Sequence, residues 1–348
     1  MTPPVSPMAI TGVGAITTAG TGLQPLLEAL HEGRTCLCPV PAELSDGHLG
    51  LLWGRAERFK VADFIPPLRA RKLDRGSQFA VAAAGLALAE AGLVADALSP
   101  QRIGIALGCG FGGIANSVDF LSGYFEQGAV GLSPLLFPNT VANAPASNTS
   151  IAYNLQGPNI TFVQRFCSAE SALLAACRFL EEGRADVMLT GGVDELTPEM
   201  MQGFAALGQL QTHAAGFGEG SGILVLERPD HAKARGARIR GHIRRIATLG
   251  LLLAGAEQQG RDRLLPQRRS FTQVTVSGAE PFVEPLLRGV SATTLHRPGR
   301  IFGRSLAMGG VVMGMLSRLL SPGEEGLHLA ASPEGPCFAI TLEGGDPA

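Results

Sequence analysis

A chain of 348 residues is long enough to bury a large core, as one big domain or two. With 45% hydrophobic and only 17% charged residues, it is too apolar for a disordered chain and short of charge for the whole surface of a monomer, which points to a face hidden in an assembly. A net charge of −2 gives no reason to expect nucleic acid or an acidic membrane as a partner.

The opening stretch, Met1 to Met8, is proline-rich without a basic start or apolar core, so it does not read as a signal peptide and a cytoplasmic protein is expected. Met8 to Gly14 predicts a short buried strand ending in glycines. Gln78 to Leu93 is alanine-rich and predicts a helix closed by Gly92. Arg102 to Gly108 reads as a second strand, leading into the glycine loop Cys109-Gly-Phe-Gly-Gly113. Asn159 to Val163 is a third, followed at once by a helix from about Ser168 to Gly183. Ala185 to Gly192 and Gly222 to Glu227 complete five strands. Apolar strands without polar alternation, interleaved with alanine-rich helices, predict an α/β protein whose sheets are covered on both faces.

The last third is less regular. Arg240 to Leu253 fits strand or helix, and Gln258 to Arg269 is polar and basic, the composition of a loop. Val274 to Ser277 predicts a strand, Ser305 to Leu320 a Gly- and Met-rich helix, and Phe338 to Leu342 a closing strand. The longest apolar run, Leu249 to Ala254, is far too short to cross a bilayer. The six cysteines (Cys36, Cys38, Cys109, Cys167, Cys177 and Cys337) show neither disulfide nor zinc spacing. Lys233, Arg235, Arg238, Arg240, Arg244 and Arg245 form a basic run, followed by Arg261, Arg263, Arg268 and Arg269. Such a run is either a solvated face or a docking surface for an acidic partner.

Seven stretches together resemble the β-ketoacyl-acyl-carrier-protein synthases: Ile10 to Thr17, Leu73-Asp-Arg75, Gly108 to Gly113, Ser133 to Asn143, Gly157 to Thr161, Gly183 to Asp194, and Gly218 to Glu227. They occur in family order between about residues 8 and 245, and the likeness thins beyond. The resemblance implies a thiolase-like, five-layered α-β-α-β-α sandwich of two pseudo-repeated halves, here residues 1–238 and a shortened 239–348. It also implies dimers. The family's chemistry uses a cysteine at the N-terminus of a buried helix, two histidines for the malonyl carboxylate and the enolate, and a backbone oxyanion hole. No cofactor is implied, because substrates arrive on the phosphopantetheine of an acyl carrier protein.

The resemblance leaves the catalytic positions empty. The family nucleophile stands about seventeen residues before the glycine matched by Gly183, which lands on Phe166. Ser168 and Ala169 then fall on the family's Ser and Gly. Cys167 comes one residue later, a rotation of about 100° around a helix. It reads either as a displaced nucleophile or as a small buried core residue. The family's His-Gly-Thr appears as Ser277-Gly-Ala, and its Lys-Ser-x-x-Gly-His as Arg304-Ser-Leu-Ala-Met-Gly, without histidine. Of the histidines left in the last hundred residues, His296 comes into register only across a large gap, and His328 is the other.

A family member without its nucleophile resembles the chain length factor of type II polyketide synthases, the inactive subunit that pairs with an active ketosynthase in a heterodimer and shapes the tunnel for the growing chain. By position the tunnel candidates are Ile114, Ser117, Leu121 and Leu136, of which the first three share one helix face; Phe120, Tyr124 and Phe125 lie on the same helix. Ordinary core packing explains the same spacing. The dimer-interface candidates are Ser133, Phe137, Asn139 and Asn143. Arg235, Arg238, Arg240, Arg244 and Arg245 are candidates for docking the carrier protein. Short members without the histidine segments also resemble partners in polyene-forming systems such as those of aryl polyenes. Two other readings stand beside this one: a divergent homodimeric acyltransferase or thioesterase using Cys167 or Ser168, and a free-standing acyl-binding protein.

Overall fold

The computed structural model describes residues 6–44, 51–93, 98–208, 216–253, 255–265, 270–278, 280–305 and 307–346. Arg268 and Arg269 of the basic stretch lie outside the described residues.

The main sheet repeats one plan twice. In the first half β1 (Met8–Thr17), β2 (Ile103–Cys109), β3 (Asn159–Phe162), β4 (Val187–Asp194) and β5 (Gly220–Glu227) lie in the order β3-β2-β4-β5-β1. In the second, β6 (Gly241–Leu249), β7 (Ser270–Gly278), β8 (Ser291–His296), β9 (Glu325–Ala331) and β10 (Cys337–Gly344) lie in the order β8-β7-β9-β10-β6. The directions match strand for strand: β2 runs parallel to β3 and β4, and β7 parallel to β8 and β9. The remaining pairs, β4–β5, β5–β1, β9–β10 and β10–β6, are all antiparallel. The halves join where β1 runs antiparallel to β6, with Met8 opposite Ile243 and Ile10 opposite Gly241.

Helices fill the layers. On the outer face of the first half lie α1 (Arg75–Glu90), against β1 and β5, and α3 (Ala144–Tyr153), against α1 and β2. A loop-side helix, α2 (Ile114–Gln127), follows the glycine loop after β2. Between the halves lie α4 (Ser168–Glu181), on β2 and β4, and α7 (Gly309–Leu319), on β5 and β7. On the outer face of the second half α5 (Glu257–Leu264) packs on β6, and α6 (Glu280–Leu287) on β7 and β9. The largest core gathers around the middle layer, with Leu173 and Leu180 of α4, Val311, Met315 and Leu316 of α7, and Leu224 and Leu226 of β5. This is the five-layered thiolase-like sandwich, with a second half of residues 241–344 against a first of 8–227.

Local chemistry explains the pieces. A β-carbon on Gly14 would stand 2.8 Å from the Ala87 nitrogen, and one on Gly12 would stand 2.9 Å from the Ala91 nitrogen. Glycines in the strand and alanines on the helix therefore let β1 and α1 touch backbone to backbone. Asp74 caps α1 by accepting from the Ser77 N–H at 3.1 Å, and Arg75 pairs with fully buried Glu219 at 2.6 Å. That accounts for the Leu73-Asp-Arg stretch without any appeal to chemistry.

Three expectations need correction. The polar segment read as a loop from Gln258 contains α5, anchored by Gly260 and Leu264, with Gln258, Gln259, Asp262 and Arg263 exposed. The helix expected from Ser305 begins only at Gly309, because Arg304 is still extended and bridges to Phe217. The ambiguous Arg240 to Leu253 segment is strand over Gly241–Leu249.

Candidate functional site

The turn into α4 carries Phe166, the residue that the resemblance sets at the nucleophile position. Arg165 adopts a left-handed backbone, φ 51°, and the short turn Arg165–Cys167 delivers the chain into the helix. Phe166 sits at its apex, 6% exposed, packed against Phe111 of the glycine loop. Ser168 is buried, and its hydroxyl accepts from the Gln164 N–H at 2.8 Å and reaches the Arg165 carbonyl at 2.8 Å. The hydroxyl thus accepts one bond and spends its proton within the turn.

Cys167 is fully buried, and its thiol donates to the Pro336 carbonyl at 3.2 Å. Burial first, then the nearby Glu170 charge, pushes its pKa well above the ordinary thiol value. A reactive cysteine needs the opposite environment. Cys167 therefore has the setting of a core residue.

Ser277, which the resemblance sets at the first histidine, belongs to a polar cluster of its own. Ser277, half-buried near the end of β7, donates its hydroxyl proton to Glu170 Oε1 at 2.8 Å. His328 of β9 places Nε2 at 3.0 Å from that same oxygen and 3.3 Å from the Ser277 hydroxyl. Its Nδ1 lies 3.1 Å from the Thr275 hydroxyl. Glu170 and His328 are both fully buried. Matching Lys-Ser-x-x-Gly-His onto Arg304-Ser-Leu-Ala-Met-Gly puts Gly309 at the second histidine. A β-carbon there would stand 2.6 Å from the Glu170 carboxyl carbon.

Glu170 and His328 were not legible as a pair. The one signal was a carboxylate in the first turn of a helix whose nearby positions Ala169, Ala172 and Leu173 are apolar. Beside Ser277 lies a cavity of about 20 Å³, lined among others by Phe302, Arg304, Met308 and Val312, room for a single water. Among the described residues this cluster holds one imidazole, His328, and the Cys167 thiol near it lies in no activating environment.

The tunnel candidates lie at the other end of the glycine loop. Ile114 and Ser117 are half-buried on α2, Leu121 is exposed, and Leu136 is half-buried. The Ser117 hydroxyl is taken by the Gly113 carbonyl at 2.8 Å. Among the interface candidates, Phe137 and Asn143 are exposed and Ser133 is half-buried. Asn139 is buried and committed to its own chain, donating to the Lys72 carbonyl at 2.8 Å and accepting from Asn148 at 3.1 Å. Around them Tyr124, Phe125, Val130, Leu135, Ile151, Ile160 and Val163 are all exposed. They lie on α2, the loop after it, α3 and the edge strand β3, which pack against one another in series. Large apolar side chains concentrated in this way mark an interaction face.

The docking arginines are mostly held within the chain. Arg235 grips buried Glu227 with contacts of 2.8 and 2.5 Å, and Arg244 grips Glu343 with two of 2.7 Å. Arg240 lies 3.3 Å from Glu90, and Arg245 donates to the Leu264 carbonyl at 2.5 Å. Arg238 is exposed. The run is largely a set of internal clamps, not an open cationic stripe. His296 lies 2.7 Å from the Gln273 side-chain oxygen on β7.

A model of the β-ketoacyl synthase N-terminal domain matches residues 5–232. The chain belongs to the β-ketoacyl synthase family. Among its relatives, the 3-oxoacyl-[acyl-carrier-protein] synthase 2 of Synechocystis sp. is 33% identical over 67% of this chain and 60% of its own length. That of Vibrio cholerae is 31% identical over 67% and 61%. The matched stretch thus spans about three fifths of these relatives. Two solved structures share the fold of this synthase-family chain over nearly its whole length. One is a type II PKS acyl-carrier protein in complex with its ketosynthase, TM-score 0.83 at 20% identity, covering 98% of this chain and 99% of that one. The other is the ishigamide ketosynthase/chain length factor, TM-score 0.82 at 19% identity, covering 97% and 99%. Among the described residues no helix is long and apolar enough to cross a membrane, and no group of three or more His, Cys, Asp or Glu is placed to hold a metal.

Proposed function

We propose that this chain is the non-catalytic subunit of a heterodimer with an active β-ketoacyl-ACP synthase, where it shapes the tunnel for the growing polyketide or polyene chain. One observation supports the reading most: Phe166, which the resemblance sets at the nucleophile position, is buried against Phe111, while the Glu170 carboxylate fills the space beside Gly309. A centre built this way cannot hold an acyl group covalently or receive malonate, so decarboxylative condensation belongs to a partner. The exposed apolar face from α2 to β3 supplies a surface for that partner, and Ile114, Ser117, Leu121 and Leu136 are the chain's candidates for the tunnel wall.

An acyl carrier protein brings substrates on its phosphopantetheine, so the chain needs no cofactor of its own. The fold it shares with a ketosynthase/chain length factor structure agrees with this division of labour. A place in the cytoplasm and an aryl-polyene-like product belong to the same proposal. The alternative, a homodimeric acyltransferase or thioesterase using Cys167, has no support from a thiol that is fully buried and pushed towards its neutral form.

Reconstitution tests the reading. The active synthase, its carrier protein and malonyl-carrier protein should give a defined chain length only when this chain is added. Products of unchanged length and yield without it would refute the role.

A further inference from the structure

We propose that Glu170, Ser277 and His328 form a hydrogen-bonded fastening between the two halves of the sandwich, built on the ground that active relatives use for chemistry. The inference deepens the non-catalytic reading and rests on it. Glu170 belongs to α4 of the first half, and Ser277 and His328 to β7 and β9 of the second. They are brought together across 107 and 158 residues of chain.

The physical case is one of compensation. A carboxylate with no exposure is costly unless donors surround it. Here Ser277 at 2.8 Å and His328 at 3.0 Å both converge on Oε1, and Oε2 has no hydrogen-bond partner among the described residues. Removing either donor would leave the group nearly bare, so the two halves are held in register by a bond that neither can abandon cheaply. Thr275, 3.1 Å from His328 Nδ1, fixes the imidazole from its far side. Glu170 is four residues, about one helical turn, beyond Phe166. The fastening therefore also holds the start of α4, and with it the aromatic ring at the nucleophile position.

The test is a thermal double-mutant cycle on the full chain with E170Q, H328Q and the pair. Each single change should lower Tm by about 5 °C or more, and the pair should lose no more than the worse single. The apolar pair E170M with H328L should recover most of the loss, as replaced buried ion pairs often do. If a variant does not fold, the wild-type protein decides: a ring N–H of His328 should exchange with solvent as slowly as the amides of β7. Losses that simply add, singles within about 1 °C of wild type, or a freely exchanging ring proton would overturn the proposal. None of these readings depends on a partner, so the fastening and the heterodimer can fail separately.

Discussion

The Glu170 carboxylate lies against Gly309, in the space that a side chain on residue 309 would fill. A side chain at 309 and the carboxylate of residue 170 therefore compete for one space, and Ser277 is tied to that same carboxylate.

Gly309→Ala should destabilise the chain by about 1–3 kcal/mol, the usual range for forcing extra volume into a packed core. Glu170→Ala combined with it should cost clearly less than the two separate losses added. Denaturant melts of the four proteins measure this directly. Additivity would mean that the two residues do not compete for space.

Phe166→Cys alone should give no condensation with malonyl-carrier protein. The resemblance leaves no histidine at either family position, and the imidazole that is present, His328, is already engaged with Glu170 and Ser277. Adding Ser277→His and Gly309→His should still fail while Glu170 is present. Turnover by the single mutant in isolation would contradict the account.

The buried thiols give a pH signature. Burial raises Cys167, Cys109 and Cys177 above the ordinary thiol value. A raised group contributes stability that is fully present below the unfolded thiol pKa of about 8.5 and is lost as pH rises beyond it. Native protein at pH 8 should accordingly resist iodoacetamide at Cys167 while exposed Cys38 labels, and Cys167 should label once the chain is unfolded.

Glu195 offers a second, cleaner titration. Burial lifts its pKa to about 7 while one oxygen accepts from the Ala115 N–H at the start of α2, at 3.0 Å. Its raised value means stability is full below the unfolded carboxyl range and falls as pH climbs to about 7. Glu195→Gln keeps the acceptor and removes the charge. It should stabilise the chain by about 1–3 kcal/mol at pH 8 and leave it unchanged near pH 4. An equal effect at both values would show that the carboxyl does not titrate in this range.

Much of this was readable in advance because strand–helix alternation and glycine placement are local. β1 to β5 and α1 were visible in runs such as Met8 to Gly14 and the alanine-rich segment around Ala83. What escaped were features set by tertiary contact. β8 sits at a sheet edge with Ser291, Thr293 and Leu295 exposed, so its residues lack the continuous apolar run that marked the buried strands. Arg240 and Arg244 looked free because their partners Glu90 and Glu343 are remote in the chain. Glu170 and His328 meet only because two similar half-sheets face a shared helical layer.

The most direct measurement is native mass spectrometry of this chain co-expressed with an active β-ketoacyl synthase, alongside its Phe125→Glu variant. Phe125 is 80% exposed on α2, so the change should leave the fold intact. The account predicts a one-to-one heterodimer for the wild-type chain and separated subunits for the variant. A homodimer of this chain that ignores the synthase and takes an acyl label at Cys167 would contradict it.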